Sequence, residues 1–272
     1  MNVKVSVLMS VYEKEKPQYL EESLDSIRCQ TFRDFELVLV EDGPLGTDLE
    51  QVVQRYLRIM PDRVKLVKIL KNLGLASALN RGLEYCHGIY IARMDSDDIM
   101  SSNRLKIQYQ YLEAHPEIDV IGSNIIEINE NGKFLKMVRY PSSHLRCRRM
   151  FIFRDCFAHP AVMFRRDFFE DVGNYSEKHK NQNKNEDTNL WFRGFVAGKT
   201  YANIQEVLLY YRRTNDFYAR RVGIKRGIDM ARDRLVINRE MGYGIIGYIF
   251  ILLRLVLNIM PKAVLKQLYK FR

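Results

Sequence analysis

The residues best suited to chemistry lie in IARMDSDDIM, where an apolar strand runs straight into Asp95, Asp97 and Asp98. Carboxylates two residues apart in a turn converge on one hard cation and leave its other positions for diphosphate oxygens and water. The competing reading is an acidic helix N-terminus, where free amides and the helix dipole favour Asp. Asp98 suits that role, but the helical pattern starts nearer Ser102. A second acid, Asp42, ends the apolar run of ELVLVEDGP. It is placed to accept a hydrogen bond from a base N–H or a ribose hydroxyl, or to form an Asp-Gly turn before Pro44. Ser10, Val11, Tyr12 and Glu13 follow the first apolar run, and Tyr12 either stacks on a base or covers the core. In KNLGLASALNRGL, Asn72 and Gly74 make a tight turn, and Ala76, Asn80 and Gly82 keep the following helix slim on one side, which admits a ligand or a neighbouring strand. Arg81 and Arg93 are candidate partners for a diphosphate, or solvated surface charges.

The elements that position these residues follow from hydrophobic periodicity. Apolar runs at Val5 to Met9, Phe35 to Val40, Val64 to Ile69 and Ile89 to Met94 predict strands. Between them, apolar residues recur at three- and four-residue steps over Tyr19 to Cys29, Leu49 to Met60 and Ala76 to Cys86, which predicts helices packed on a sheet. The alternation predicts an α/β fold with a mostly parallel central sheet flanked by helices, whose ligands bind beyond the carboxyl ends of the strands. A helix over Asn103 to His115, a β-rich stretch over Val120 to Ile128, a hairpin at Asn131-Gly132, a strand through Ala161 to Phe164, a helix over Glu186 to Val196 and a strand through Val207 to Tyr211 complete this unit. After Asn215 the pattern becomes helical and basic, predicting a catalytic domain over 1–215 and an amphipathic helical extension over 216–272.

At 272 residues and 47% hydrophobic content the chain has enough apolar material for one large core. Cys29, Cys86, Cys147 and Cys156 show no metal-cage or disulfide-framework spacing, which points to a reducing compartment. The first residues are too briefly apolar, with Glu13 soon after, for a signal peptide, so a cytoplasmic location is expected. Of the 43 basic residues, 14 lie between Arg212 and Arg272 beside only four acids, so this segment carries all of the net charge of +10. Its run from Tyr243 to Met260 is apolar but interrupted by Arg254. A spanning helix needs about 20 apolar residues, and a central Arg costs roughly 2.5–3.5 kcal/mol on insertion scales. An interfacial helix on the cytoplasmic face of the inner membrane is the better expectation, with Lys262, Lys266 and Lys270 continuing the basic face. Without aromatic platforms beside the basic residues, no nucleic-acid partner is expected.

In this order, VSVLMSVYE, LVLVEDG, NLGLASALNRGL, YIARMDSDD and NEDTNLWFR resemble the family-2 glycosyltransferases of the GT-A type, in the bacterial branch that builds O-antigen, capsule and exopolysaccharide. The resemblance covers about residues 3 to 215. It implies inverting transfer of a hexose, aided by Mn2+ or Mg2+, from a nucleotide diphosphate sugar, usually a UDP-sugar such as UDP-galactose or UDP-glucose. It implies a polyprenyl-diphosphate-linked saccharide as acceptor. It puts Val11, Tyr12, Glu13 and Asp42 against the nucleotide, Asn72 and Arg81 near the base or diphosphate, Asp95 on the ribose or donor-sugar side and Asp97 on the metal. Asp187 matches the general base, and Glu186 beside it reaches donor or acceptor. His159 and Trp191 are candidates to approach the acceptor. The Gln-x-x-Arg-Trp element of polymerising members is absent, which implies addition of a single sugar. Two other classes compete: a nucleotidyltransferase, whose Gly-rich basic loop is missing after the first strand, and a peripheral membrane scaffold with structural carboxylates.

Overall fold

The computed structural model describes residues 3–177, 185–214 and 224–259. The first four long strands, β1 (Val5–Val11), β2 (Phe35–Asp42), β3 (Val64–Ile69) and β4 (Tyr90–Asp95), are all parallel, in the order β3-β2-β1-β4. Helices α1 (Pro17–Arg28), α2 (Thr47–Ile59) and α3 (Leu75–Leu83) make the crossovers. Helices on both faces bury both sides of β1, and this is why VSVLMSV is almost continuously apolar instead of alternating. Val5, Val7 and Met9 face one core with Leu20, Leu24 and Val53; Leu8 faces the other with Val38, Leu79 and Phe164.

Register then decides what meets at the carboxyl edge. Ser10 pairs with both Val40 and Asp95, and Val11 pairs with Glu41, so the loops after β1, β2 and β4 emerge side by side. Beyond β4 the sheet becomes mixed. β8 (Met163–Arg165) runs antiparallel to β4 and to β6 (Val120–Ile128), while β9 (Tyr201–Arg212) runs parallel to β6. β7 (Phe134–Val138) makes the hairpin with β6, and the two-residue β5 (Ile99–Met100) closes the far edge against β9. Helices α4 (Arg104–Ala114), α5 (His144–Met150), α6 (Asp167–Val172) and α7 (Glu186–Val196) complete this unit. β5, α5 and α6 escape sequence periodicity because two to seven residues complete too few periods. β9 begins six residues earlier than its apolar core suggests, and its register against β6 shifts around Asn124.

Two C-terminal helices, α8 (Ile224–Met241) and α9 (Gly244–Ile259), form a hairpin. Gly247 of α9 lies against Asn238, where any Cβ would clash. α8 docks on the catalytic unit: Ile237 and Met241 are buried in the second core, and Arg234 donates to the Phe151 carbonyl at 2.6 Å. The change of composition after Asn215 therefore marks no break in packing at α8. Lys262, Lys266 and Lys270 lie outside the described residues.

Gly82 and Gly43 show two uses of a missing side chain. A Cβ on Gly82 would sit 2.4 Å from Leu8 and 2.8 Å from Val40, so this glycine seats α3 on the sheet and does not admit a ligand. Gly43 has φ +90° and lies where a Cβ would come within 2.7 Å of the Asn72 amide nitrogen. Gly43→Ala is expected to cost about 1–3 kcal/mol through left-handed strain and that contact. A thermal melt checks it, and an unchanged melting temperature would contradict it.

Candidate active site

β4 delivers the acidic turn to the edge of the sheet. Carboxylate oxygens of Asp95, Asp97 and Asp98 lie within 4.8 Å of one another. Helix α1 and the residues just after it hold this turn with polar groups: Ser23 donates to the Asp95 carbonyl, Ser26 accepts from the Met100 amide and Gln30, past the end of α1, donates to the Ser101 carbonyl. Arg212 at the end of β9 clamps it from the other side. Its amide donates to Asp98 Oδ1 at 2.8 Å, its Nε to the Asp97 carbonyl at 2.9 Å, and its guanidinium pairs with Glu22 and lies over Tyr19.

Three close carboxylates oppose one another's ionisation. Asp97 is pushed up to about 8, by burial first and then by the charges of Asp95 and Glu15. Asp98 is raised by burial and then by Asp97 and Asp95. Its buried Oδ2 has no hydrogen-bond partner among the described residues. An all-oxygen set with that much uncompensated charge fits a hard divalent cation such as Mg2+ or Mn2+. Sequence reasoning missed Glu15, which accepts from Ser96 Oγ at 2.5 Å within the acidic turn. Its signal was weak, because a glutamate in a polar loop resembles any solvated charge.

Arg93 joins this turn to the second acidic group. Its side chain is buried and pairs with Asp95. Burial opposes its charge, but Asp95 outweighs this and holds it protonated. The same charge acts on Asp97, Asp98 and Asp187. Asp187 lies in the first turn of α7, just after Asn185, which adopts a left-handed conformation at φ 98°. α7 is seated by Leu190, Trp191 and Phe195 in the second core, leaving its first turn half-buried. Asp187 Oδ1 accepts from the Thr188 amide at 2.7 Å. Burial, then the charges of Asp155 and Glu186, push its carboxyl up to about 8.

The expected nucleotide-side residues surround the loops after β1 and β2. Val11 is buried at the end of β1, while Tyr12 and Glu13 are exposed. Asp42 is buried, and its two carboxylate oxygens accept from the Leu73 and Gly74 amides at 2.7 and 2.9 Å. Asn72 donates to the Asp42 carbonyl at 3.1 Å. These two residues therefore build the turn that starts α3, and each Asp42 oxygen keeps a lone pair for a further donor.

Three expected residues are placed differently. Arg81 is half-exposed in the last turn of α3, pairs with Glu84 and lies over Tyr85, so it is not gathered with the acidic turn. Trp191 is fully buried, stacked on Phe164 and edge-on to His159 and Tyr201. It is a core residue and offers no face to an acceptor. His159 is also buried, with Nε2 at 2.8 Å from the Tyr175 hydroxyl. Burial and then the charge of Arg93 hold it well below its ordinary pKa, so it is neutral and underlies the site. Of the FIFRDCF aromatics, Phe151 and Phe157 are core and Phe153 packs on Phe250 of α9.

Comparison with known proteins bears on the family and the fold. The profile of Glycosyl transferase family 2 matches residues 6–173. The amylovoran biosynthesis glycosyltransferase AmsE of Erwinia amylovora is 37% identical over 268 residues, 97% of each chain. An Escherichia coli UDP-Gal:alpha-D-GlcNAc-diphosphoundecaprenol beta-1,3-galactosyltransferase is 30% identical over 271 residues, covering 98% of this chain and 95% of that one. Among solved structures, the Pyrobaculum calidifontis mannosyltransferase PcManGT, in complex with GDP-Man and Mn2+, matches with TM-score 0.63 at 18% identity, over 88% of this chain and 65% of its own. That likeness shows a shared GT-A fold.

The raised carboxyl of Asp187 has a consequence for stability. A group whose folded pKa lies above its unfolded value, about 3.9 for Asp, favours the fold most at low pH and loses that contribution as pH rises through the folded value near 8. Asn keeps the acceptor for the Thr188 amide and removes the charge. Asp187→Asn is expected to melt above the native chain at about pH 8.5 and level with it near pH 4. A lower melting temperature at the alkaline pH would contradict this.

Proposed function

The chain belongs to glycosyl transferase family 2, and we propose that it transfers a single hexose, with inversion, from a UDP-sugar such as UDP-galactose or UDP-glucose to a polyprenyl-diphosphate-linked saccharide in bacterial surface polysaccharide assembly. The observation that carries the reading is the placing of two acidic groups, the Asp95-Asp97-Asp98 turn and Asp187, near the buried cation Arg93. One group suits the leaving diphosphate and the other the attacking hydroxyl.

Asp97, with Asp95 and Asp98, would hold Mn2+ or Mg2+, which supplies positive charge where negative charge develops on the departing diphosphate. Val11, Tyr12, Glu13, Asp42 and Asn72 line the loops assigned to the nucleotide. Asp187 is the general base. An acceptor hydroxyl is a poor nucleophile until its proton leaves, and a carboxylate whose affinity for protons has been raised takes it more readily. The Thr188 amide and the charge of Arg93 offset part of that rise and favour the ionised form. Glu186 stands beside it, toward donor or acceptor.

α9 supports the membrane part of the reading. It presents Ile245, Ile246, Ile249, Leu252, Leu253 and Val256 to solvent on one side and packs Gly247 and Ile251 inward. Among the described residues, no helix is long and apolar enough to cross a membrane. The exposed arginines Arg146, Arg148 and Arg149 of α5 adjoin the hairpin, where Arg148 donates to the Met241 carbonyl. An apolar helix face beside clustered arginines suits the interface of an anionic bilayer.

Two outcomes test this. Asp187→Asn should bind UDP with Mn2+ as the native chain does, yet turn over about 100-fold or more slowly; near-native turnover would overturn the base assignment. Asp97→Ala should lose Mn2+-dependent UDP binding, measured by thermal shift. For the membrane, Ile249→Glu with Leu252→Glu should leave the protein in the supernatant when vesicles containing phosphatidylglycerol are pelleted, while the native chain sediments with them at low salt. Failure of the native chain to sediment would refute the attachment.

A further inference from the structure

The proposed base is connected to the C-terminal hairpin by side chains that catalysis leaves unused. Asp155, in the loop after α5, accepts from Thr188 Oγ1 at 2.9 Å through Oδ1, the same oxygen that Arg234 Nη2 approaches at 3.1 Å. Thr188 is the residue whose amide holds Asp187 Oδ1. Arg234 comes from α8; its side chain is largely buried, its Nη1 donates to the Phe151 carbonyl at 2.6 Å and its guanidinium lies over the Phe151 ring. One position before it, Asp233 accepts from Asn185, the left-handed residue that starts α7. α8 thus fixes the first turn of α7 at both ends.

We propose that Arg234 is a positioning residue for the reaction: through Asp155 and Thr188 it orients Asp187 and offsets the negative charge next to it. The proposal rests on Asp187 being the base. The charged and titratable groups facing Asp187 are Glu186 on its own helix, Asp155 on the preceding loop, Arg93 on β4 and Tyr175 in the loop after α6. Asp155 and Glu186 favour the protonated, inactive form of the base, and Arg93 favours the ionised form. Tyr175 is kept protonated by burial and adds no charge. Arg234 stands outside this group but pairs with Asp155 at 3.1 Å, so its charge offsets the acid that bears most on Asp187.

The test compares pH profiles of turnover, with UDP-galactose or UDP-glucose as donor, for the native chain, Arg234→Gln, Asp155→Asn and the double variant. Turnover rises as the base ionises. Arg234→Gln should move this acid limb to higher pH, and Asp155→Asn should move it to lower pH, each by about half a pH unit or more. The double variant should return most of the way. A purely structural role would lower turnover at every pH and leave the limb in place, which would overturn the proposal. If Arg234→Gln does not fold, Asp155→Asn alone decides, because it keeps the acceptor for Thr188: a downward shift supports the proposal and an unmoved limb refutes it. Near-native turnover of Asp187→Asn would defeat the base reading and this inference together. A dead Asp187→Asn with unmoved limbs in the other variants would defeat this inference alone.

Discussion

A guanidinium inside a sheet is a costly element, because a buried charge is tolerated only when opposite charge and hydrogen bonds compensate it. Arg93 is compensated in part by pairing with Asp95 two residues along the same strand, on the edge where the loops after β1 and β2 also emerge, while its Nε and Nη1 have no hydrogen-bond partner among the described residues. Its charge favours the ionised forms of Asp97, Asp98 and Asp187, each of which is pushed up by burial and by its own acidic neighbours. The surrounding structure is arranged to keep this charge in place. The Arg93 amide donates to the Val162 carbonyl at 3.0 Å, and its own carbonyl accepts from Arg104 at 2.8 Å. Arg104 is itself fully buried and is brought down to about 9 by burial and then by Arg93, so a second cation lies beneath the first. Its Nε is held by Gln108, which also ties to the Ala161 carbonyl.

The same arrangement shows where stability is given up for chemistry. Asp97, Asp98 and Asp187 are all carboxyls raised by burial and by like charge, a condition that disfavours the fold near neutral pH and characterises functional sites. The compensation lies in neighbouring polar contacts: Ser23 and Ser26 of α1, Gln30 just past its end, Arg212 of β9, and the Asp155–Arg234 pair. These contacts come from elements far apart in the chain, so the site depends on the completed sheet and on α8.

Much of this was legible in sequence where local pattern carries information. The parallel strands and their crossover helices follow from runs and periods long enough to recognise, and the acidic turn follows from its spacing at a strand end. What pattern could not give is direction and partnership. Arg81 and Arg93 are equally plausible as residue types, but Arg81 lies on an exposed helix position beside Glu84, whereas Arg93 lies inside the sheet. Trp191 falls in the expected helix yet points into the aromatic core, because the apolar face of α7 includes it. Glu15, Arg212 and Arg234 gain their significance only through contacts with residues 79 to 193 positions away in sequence, which no local period encodes.

The claim at the centre of this account is a single direct displacement assisted by Asp187. The anomeric configuration of the product measures it most directly: the purified chain is given Mn2+, a GlcNAc-diphospho-lipid acceptor and whichever of UDP-galactose or UDP-glucose it turns over, and the new linkage is read by proton NMR. One displacement on these α-linked donors predicts a β-linked product. An α-linked product would contradict the account, since retention requires a different arrangement of the reacting groups.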